Sequence, residues 1–295
     1  MKNEKQNVAG VSVIAAVFLT GLKFVAGIIT GSLGLLSEAL HSGLDLVAAV
    51  ITWFSVRISD RPPDADHHYG HGKIENFSAL VETVLLLITC GWIIFEAVHR
   101  LLTGNTHIEV NIFSYLVVIV SIVIDFFRSR ALSRVAKKVN SQALEADALH
   151  FSSDVFSSAV VLIGLICSGF GYHFADSIAA LGVAVIVLGL SFRLGKRAVD
   201  VLLDKSPAEL KKKVERILSQ TSQISSFHDV KVRTSGADTF IEINIHVTPG
   251  LTIEQAHKIS HTVEDRIKQA IERSEIHIHI EPEEDHLKMV PAIPD

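Results

Sequence analysis

Charge is scarce in this chain. Asp, Glu, Lys and Arg make up only 20% of its 295 residues. The little charge there is sits unevenly: residues 206–295 hold 26 charged residues, whereas residues 1–205 hold 33. No basic excess exists, since 27 Lys and Arg face 32 Asp and Glu for a net charge of −5. A nucleic-acid binder, which needs a basic surface, is excluded on that ground. Cysteine is almost absent; Cys90 and Cys167 both lie in apolar stretches, so neither a disulfide framework nor a thiolate cluster is indicated. There is no GxxxxGK[ST] loop and no HExxH helix. Nucleotide-driven chemistry and zincin-type hydrolysis therefore have no foothold. At 48% hydrophobic residues, disorder is excluded as well.

Long apolar runs and histidine are what the chain has in quantity. Six apolar segments stand out: Val8–Ile29, Leu35–Ile58, Phe77–Leu102, Ile112–Phe127, Ala143–Cys167 and Ile178–Leu194. Most approach the roughly 20 residues that cross a hydrocarbon layer as helix. Val8–Ile29 is long, contains Lys23 and lacks a small-residue cleavage site, so it reads as a first span and not a signal peptide. The expected architecture is an all-α six-span transmembrane bundle over residues 1–205. A small cytoplasmic α+β domain, ferredoxin-like with order αββαβ, is expected over residues 206–295.

Basic residues orient the spans. Lys2 and Lys5 precede the first span, and Arg57, Arg61 and Lys73 mark the connection between the second and third. Arg128, Arg130, Arg134, Lys137 and Lys138 mark the next such connection, and Arg193, Lys196 and Arg197 follow the sixth span. The alternate connections are nearly free of Lys and Arg. The positive-inside rule then places both termini and the soluble domain in the cytoplasm.

Two apolar runs contain the same polar pair. "SEALHSGLDLV" carries His41 and Asp45, and "EADALHFSSDVFSS" carries His150 and Asp154. Each pair is spaced four residues apart and so shares one helix face. A carboxylate inside a span is costly unless it is paired or bound, and so marks a functional site. Two imidazoles and two carboxylates suit a tetrahedral Zn²⁺, and the two negative charges balance the metal. Structural His–Asp pairing between helices is the plainer alternative, although it does not account for the pattern's repetition.

The connection "DRPPDADHHYGHGKIENF" offers a second metal position. Pro62 and Pro63 stop any helix, and Asp64, His67 and His71 follow at spacings of three and four. In the soluble part, Pro207 to about Thr221 and Thr252–Ile271 read as helices. Phe227–Arg233, Thr239–Val247 and Ile276–Ile280 read as strands. His277, His279 and Glu281 share one face of the last strand because side chains alternate. His246 sits on another strand, and His257 and His261 lie one helical turn apart. Exposed polar residues with no ligand are the alternative reading of this set.

These segments together resemble the cation diffusion facilitator family, the zinc-transporting efflux proteins. "GSLGLLSEALHSGLDL", "HHYGHGKIE", "EADALHFSSDVFSS" and "HDVKVRTSG…QAH…HIHIEP" carry the resemblance, which covers nearly the whole chain. It implies a transport site at His41, Asp45, His150 and Asp154 and a loop site at Asp64, His67 and His71. Cytoplasmic sites would fall around His228, His257, His279 and Glu281, with His246 and His277 as further participants. It also implies a homodimer of six-span subunits in the inner (plasma) membrane that exchanges metal for protons. Some bacterial relatives have Asp in place of His41, and others have His in place of Asn244.

The expected function is secondary active export of Zn²⁺ in exchange for protons, with no enzyme activity and no nucleotide partner. Export of Fe²⁺, Mn²⁺, Cd²⁺ or Co²⁺ by the same route is the alternative, and a membrane-anchored metal sensor is a further one. Zn²⁺ is expected both as cargo and as a structural or regulatory ligand of the soluble domain.

Overall fold

The computed structural model describes residues 2–30, 33–103, 112–169 and 175–283. Six long helices come first: α1 Lys2–Thr30, α2 Leu33–Ser59, α3 Lys73–Thr103, α4 Ile112–Val139, α5 Gln142–Gly169 and α6 Ala175–Leu202. At 1.5 Å per residue the 28 residues of α5 span about 42 Å, longer than the hydrocarbon layer alone. The helices therefore outrun the apolar segments. Helix α4 continues past Phe127 through its whole Arg- and Lys-rich tail to Val139. Among the described residues, Asn3–Ile29, Ala39–Ser59 and Lys73–Thr103 are by themselves long and apolar enough to cross a membrane.

Helix pairs α1–α2, α3–α6 and α4–α5 pack most extensively, and α5 also touches α2, α3 and α6. Small residues let the backbones approach. Ala9, Ala16, Ala49, Ala143 and Ala148 are buried around Leu132, Leu144 and Phe151. At the α3–α6 crossing, a Cβ on Gly195 would come within 2.7 Å of the Thr83 methyl, so only glycine fits without a shift.

Residues Leu203–Asp295 form a second compact unit. It contains α7 Ala208–Ser219, β1 Ser226–Ser235, β2 Asp238–Val247, α8 Ile253–Ala270 and β3 Ser274–Pro282. The order αββαβ matches the sequence expectation. Strands β1 and β2 form an antiparallel hairpin that turns at Gly236, whose φ is +59°. Strand β3 pairs parallel to β2, giving the order β1-β2-β3. Thr252 and Gln255 close a reciprocal capping box at the start of α8. Val214 and Leu218 of α7 and Ile259, Val263 and Ile267 of α8 pack on Ile241, Ile243 and Ile245 of β2. Both helices thus cover one sheet face, and alternation sends the histidines to the other.

Candidate metal centre

The two i,i+4 pairs meet where α2 packs on α5. His150 Nε2 lies 2.9 Å from Asp45 Oδ1 and 3.8 Å from Asp154 Oδ2. His41 Nε2 lies 3.9 Å from Asp45 Oδ1 and 4.0 Å from Asp154 Oδ1. Ligands of a tetrahedral zinc with bonds of about 2.0–2.1 Å stand about 3.3 Å apart. Ligand atoms of Asp45, His150 and Asp154 lie within 4.8 Å of one another, and His41 stands at the edge of that trio. His150 Nδ1 and Asp154 Oδ2 are buried without a hydrogen-bond partner among the described residues, which leaves donor capacity for a cation. Exposure is graded across the set: His41 is 40% exposed at its side chain, Asp154 16%, Asp45 11% and His150 4%.

Beside this set lies a buried polar network. Arg128 Nε donates to Ser12 Oγ at 2.7 Å, and Ser12 Oγ donates to Asp147 Oδ2 at 3.0 Å. The Arg128 guanidinium also lies 3.7 Å from Asp125 and stacks over the Phe151 ring. Glu82, in mid-α3, accepts from the Thr52 hydroxyl. Lys5, Ser59 and Ser141 converge on Glu75, tying α1, α2, α3 and the start of α5 together.

In the connection between α2 and α3, Asp64 Oδ1 is 3.1 Å from His67 Nδ1 and Asp64 Oδ2 is 3.3 Å from His71 Nε2. The backbone amides of Asp66 and His67 donate to Asp64 Oδ1. The His67 amide is the main reason the Asp64 carboxyl titrates below its ordinary range. This trio is open to water, apart from His71, whose side chain is 10% exposed.

On the open face of the soluble sheet, register does the assembling. His228 of β1, Asn244 of β2 and His279 of β3 lie in one cross-strand row, and His246 sits opposite Glu281 in the next. The Glu281 carboxylate gathers three imidazoles: His228 Nε2 at 3.2 Å, His246 Nε2 at 3.5 Å and His279 Nε2 at 3.3 Å. His228 above all holds the Glu281 carboxyl below its usual range. His246 is fully buried. Within one chain His257 and His277 do not join this set. His257 stands on α8 with its Nε2 3.1 Å from that of His261. His277 pairs in register with Glu242, farther along β3.

Residues 9–203 match the cation efflux transmembrane domain, and residues 206–283 match the cytoplasmic domain of cation efflux proteins. The chain belongs to the cation diffusion facilitator family. The cation-efflux pump FieF of Shewanella oneidensis is 31% identical over 272 residues, covering 92% of each chain. FieF of Citrobacter koseri is 30% identical over 270 residues, covering 91% of this chain and 90% of its own. A transporter of Methanocaldococcus jannaschii is 31% identical over 272 residues, covering 91% of this chain and 96% of its own. Among solved structures, the zinc form of CzrB matches at 29% identity and a TM-score of 0.23, over 25% of this chain and 89% of that one.

Membership makes this chain a membrane transporter for cation efflux and not an enzyme. In a cation diffusion facilitator protein, charge inside the bundle must be accounted for, and sequence reading missed much of it here. Asp147, in the second turn of α5, is fully buried. Glu82 went unremarked, although one acidic residue within "SALVETVLLL" was a signal. Ser12 carried no local signal at all, because its role depends on α1 meeting α4 and α5.

Proposed function

We propose that this transporter exports Zn²⁺ from the cytoplasm in exchange for protons. The convergence of His41, Asp45, His150 and Asp154 from two helices carries the reading. Two imidazole nitrogens and two carboxylate oxygens, with no thiolate, form a borderline donor set that zinc fills well. Zinc binding needs neutral imidazoles and ionised carboxylates, so loading displaces protons and reprotonation aids release. Metal and proton thus compete for one site, which couples their movements without a covalent step.

In this reading all six helices, α1 to α6, span the inner (plasma) membrane, and both termini are cytoplasmic. Residues 1–205 form the transport domain. Residues 206–295 bind metal and pair two subunits into a homodimer. His228, His246, His279 and Glu281 hold zinc as a structural or regulatory ligand of the soluble domain, and Asp64, His67 and His71 take metal at the loop. His257 and His277 are ligands that a second subunit would complete.

The test is zinc flux into proteoliposomes carrying an opposing proton gradient. Flux should rise with the gradient and fall when it is dissipated; flux indifferent to the gradient rejects proton coupling. With oxygen as half the donor set, Mn²⁺ and Fe²⁺ are the competitors to test against zinc. Preferred transport of either would overturn the zinc assignment while leaving the site in place.

A further inference from the structure

The basic tail of α4 divides into two groups. Arg128 is engaged by Asp125 and Ser12, and Lys138 pairs with Glu4 at 2.6 Å. Arg130, Arg134 and Lys137, by contrast, form no ion pair among the described residues, and all three line one cavity of about 460 Å³ between α4 and α5. Their spacings of four and three put the three cations on one helix face. Ser152 of α5 adds a hydroxyl on the opposite wall. Phe126 and Phe156 form the adjoining apolar wall, and both rings are about half exposed, at 49% and 57%.

Topology explains why cations stand at this end of the helix; it does not explain why three of them stay unpaired around a concave space. Such a space has a charged rim, a hydroxyl and an aromatic flank that continues along the apolar length of both helices. A phosphate fits the rim, because arginine forks donate to phosphate oxygens in pairs. The flank fits a hydrocarbon chain. Basic pockets between membrane helices bind anionic lipid headgroups by this combination.

We propose that the cavity between α4 and α5 is a binding site for an anionic phospholipid. Arg130, Arg134 and Lys137 hold its headgroup phosphate, and Phe126 and Phe156 pack against its acyl chain. The leaflet this lipid comes from rests on the orientation proposed above; the binding itself does not. Helix α5 also carries His150 and Asp154, so a lipid seated here braces a ligand-bearing helix from outside the metal site.

The experiment uses the full-length chain in a neutral detergent, titrated with phosphatidylglycerol, phosphatidylcholine or inorganic phosphate. Retained lipid is counted by native mass spectrometry, and thermal stability is followed in parallel. The phosphatidylglycerol arm should retain lipid and raise the melting temperature, with little effect from phosphatidylcholine or inorganic phosphate. The triple variant Arg130→Gln, Arg134→Gln, Lys137→Gln should bind phosphatidylglycerol at least about tenfold more weakly. A control with Lys211→Gln, Lys212→Gln and Lys213→Gln removes equal charge from α7 and should bind as the parent does. The three cavity residues are exposed, and an unchanged melting temperature of the triple variant without added lipid reports that its bundle is intact. Unchanged lipid binding in the triple variant, or an equal loss in the α7 control, overturns the site. An equal response to inorganic phosphate overturns the lipid as its occupant.

Discussion

The candidate ligand set between α2 and α5 and the candidate set on the open sheet face both combine carboxylates with imidazoles, in different proportions. Between the helices, two carboxylates join two imidazoles. On the sheet, one carboxylate serves three imidazoles. A divalent ion bound by two carboxylates leaves the site neutral, whereas one carboxylate leaves a residual positive charge. Burying a net charge among membrane helices is expensive, and keeping one beside water is not. The proportion of carboxylate to imidazole thus follows whether the site lies among membrane helices or in the soluble unit. Support differs too: the helix site is flanked by the buried Arg128–Ser12–Asp147 chain, while the sheet site is aligned by strand register.

The sharpest way to break this comparison is to unbalance the helix site. Asp45→Ala removes the oxygen closest to His150 and half the neutralising charge. Transport in proteoliposomes should fall by more than about 100-fold, beyond the range for losing a mere supporting partner. Substantial residual flux would mean that one carboxylate suffices within the membrane. Next in size is Arg128→Met, which leaves Asp147 and Asp125 without their cation. Removing one member of a buried charge network costs about 3–5 kcal/mol. Denaturation of the variant in detergent measures that loss, and a variant as stable as the parent would show that the network does not support the site.

Glu281→Ala should cost less, because His228, His246 and His279 remain: metal affinity at the sheet face should fall with the fold of the unit retained. Its apolar core lies on the opposite face and is untouched. Equilibrium dialysis of the variant against zinc, together with its circular dichroism, separates the two effects. Loss of the fold would place Glu281 among the structural residues.

How far this contrast was legible depends on distance along the chain. Helical spacing revealed His41 with Asp45 and His150 with Asp154, and strand alternation put His279 and Glu281 on one face. The apolar spacing of Ile259, Val263 and Ile267 fixes which side of α8 packs inward, and His257 and His261 fall on the exposed side. By contrast, that His246 would share Glu281 with His228 depends on the register of three strands and on the irregularity between His228 and Lys231. The partnership of Ser12 with Asp147 crosses 135 residues. Local pattern carries no information about such meetings, which arise only when helices pack.

The smallest effect concerns the water-facing carboxylates. Both Asp64 and Glu281 are held below their usual range, so each stays ionised in mild acid. For a depressed carboxyl, the stabilising contribution is complete above its unfolded value of about 4 and is lost as pH falls through the lower folded value. NMR titration of the metal-free protein should show the Asp64 and Glu281 carboxyls changing only below the ordinary carboxylate range of about 4. Carboxyl titration above about pH 5 would contradict this expectation.

The central claim is that zinc and protons compete for the four ligands between α2 and α5. Calorimetry of zinc binding in buffers of different ionisation enthalpy tests it most directly, on protein whose loop and sheet-face ligands have been replaced. The expected result is one zinc per chain, protons released on binding between about pH 7.5 and 5.5, and loss of both binding and proton release in His41→Ala. Zinc bound at the intact helix site with no proton release anywhere in that range would contradict the account.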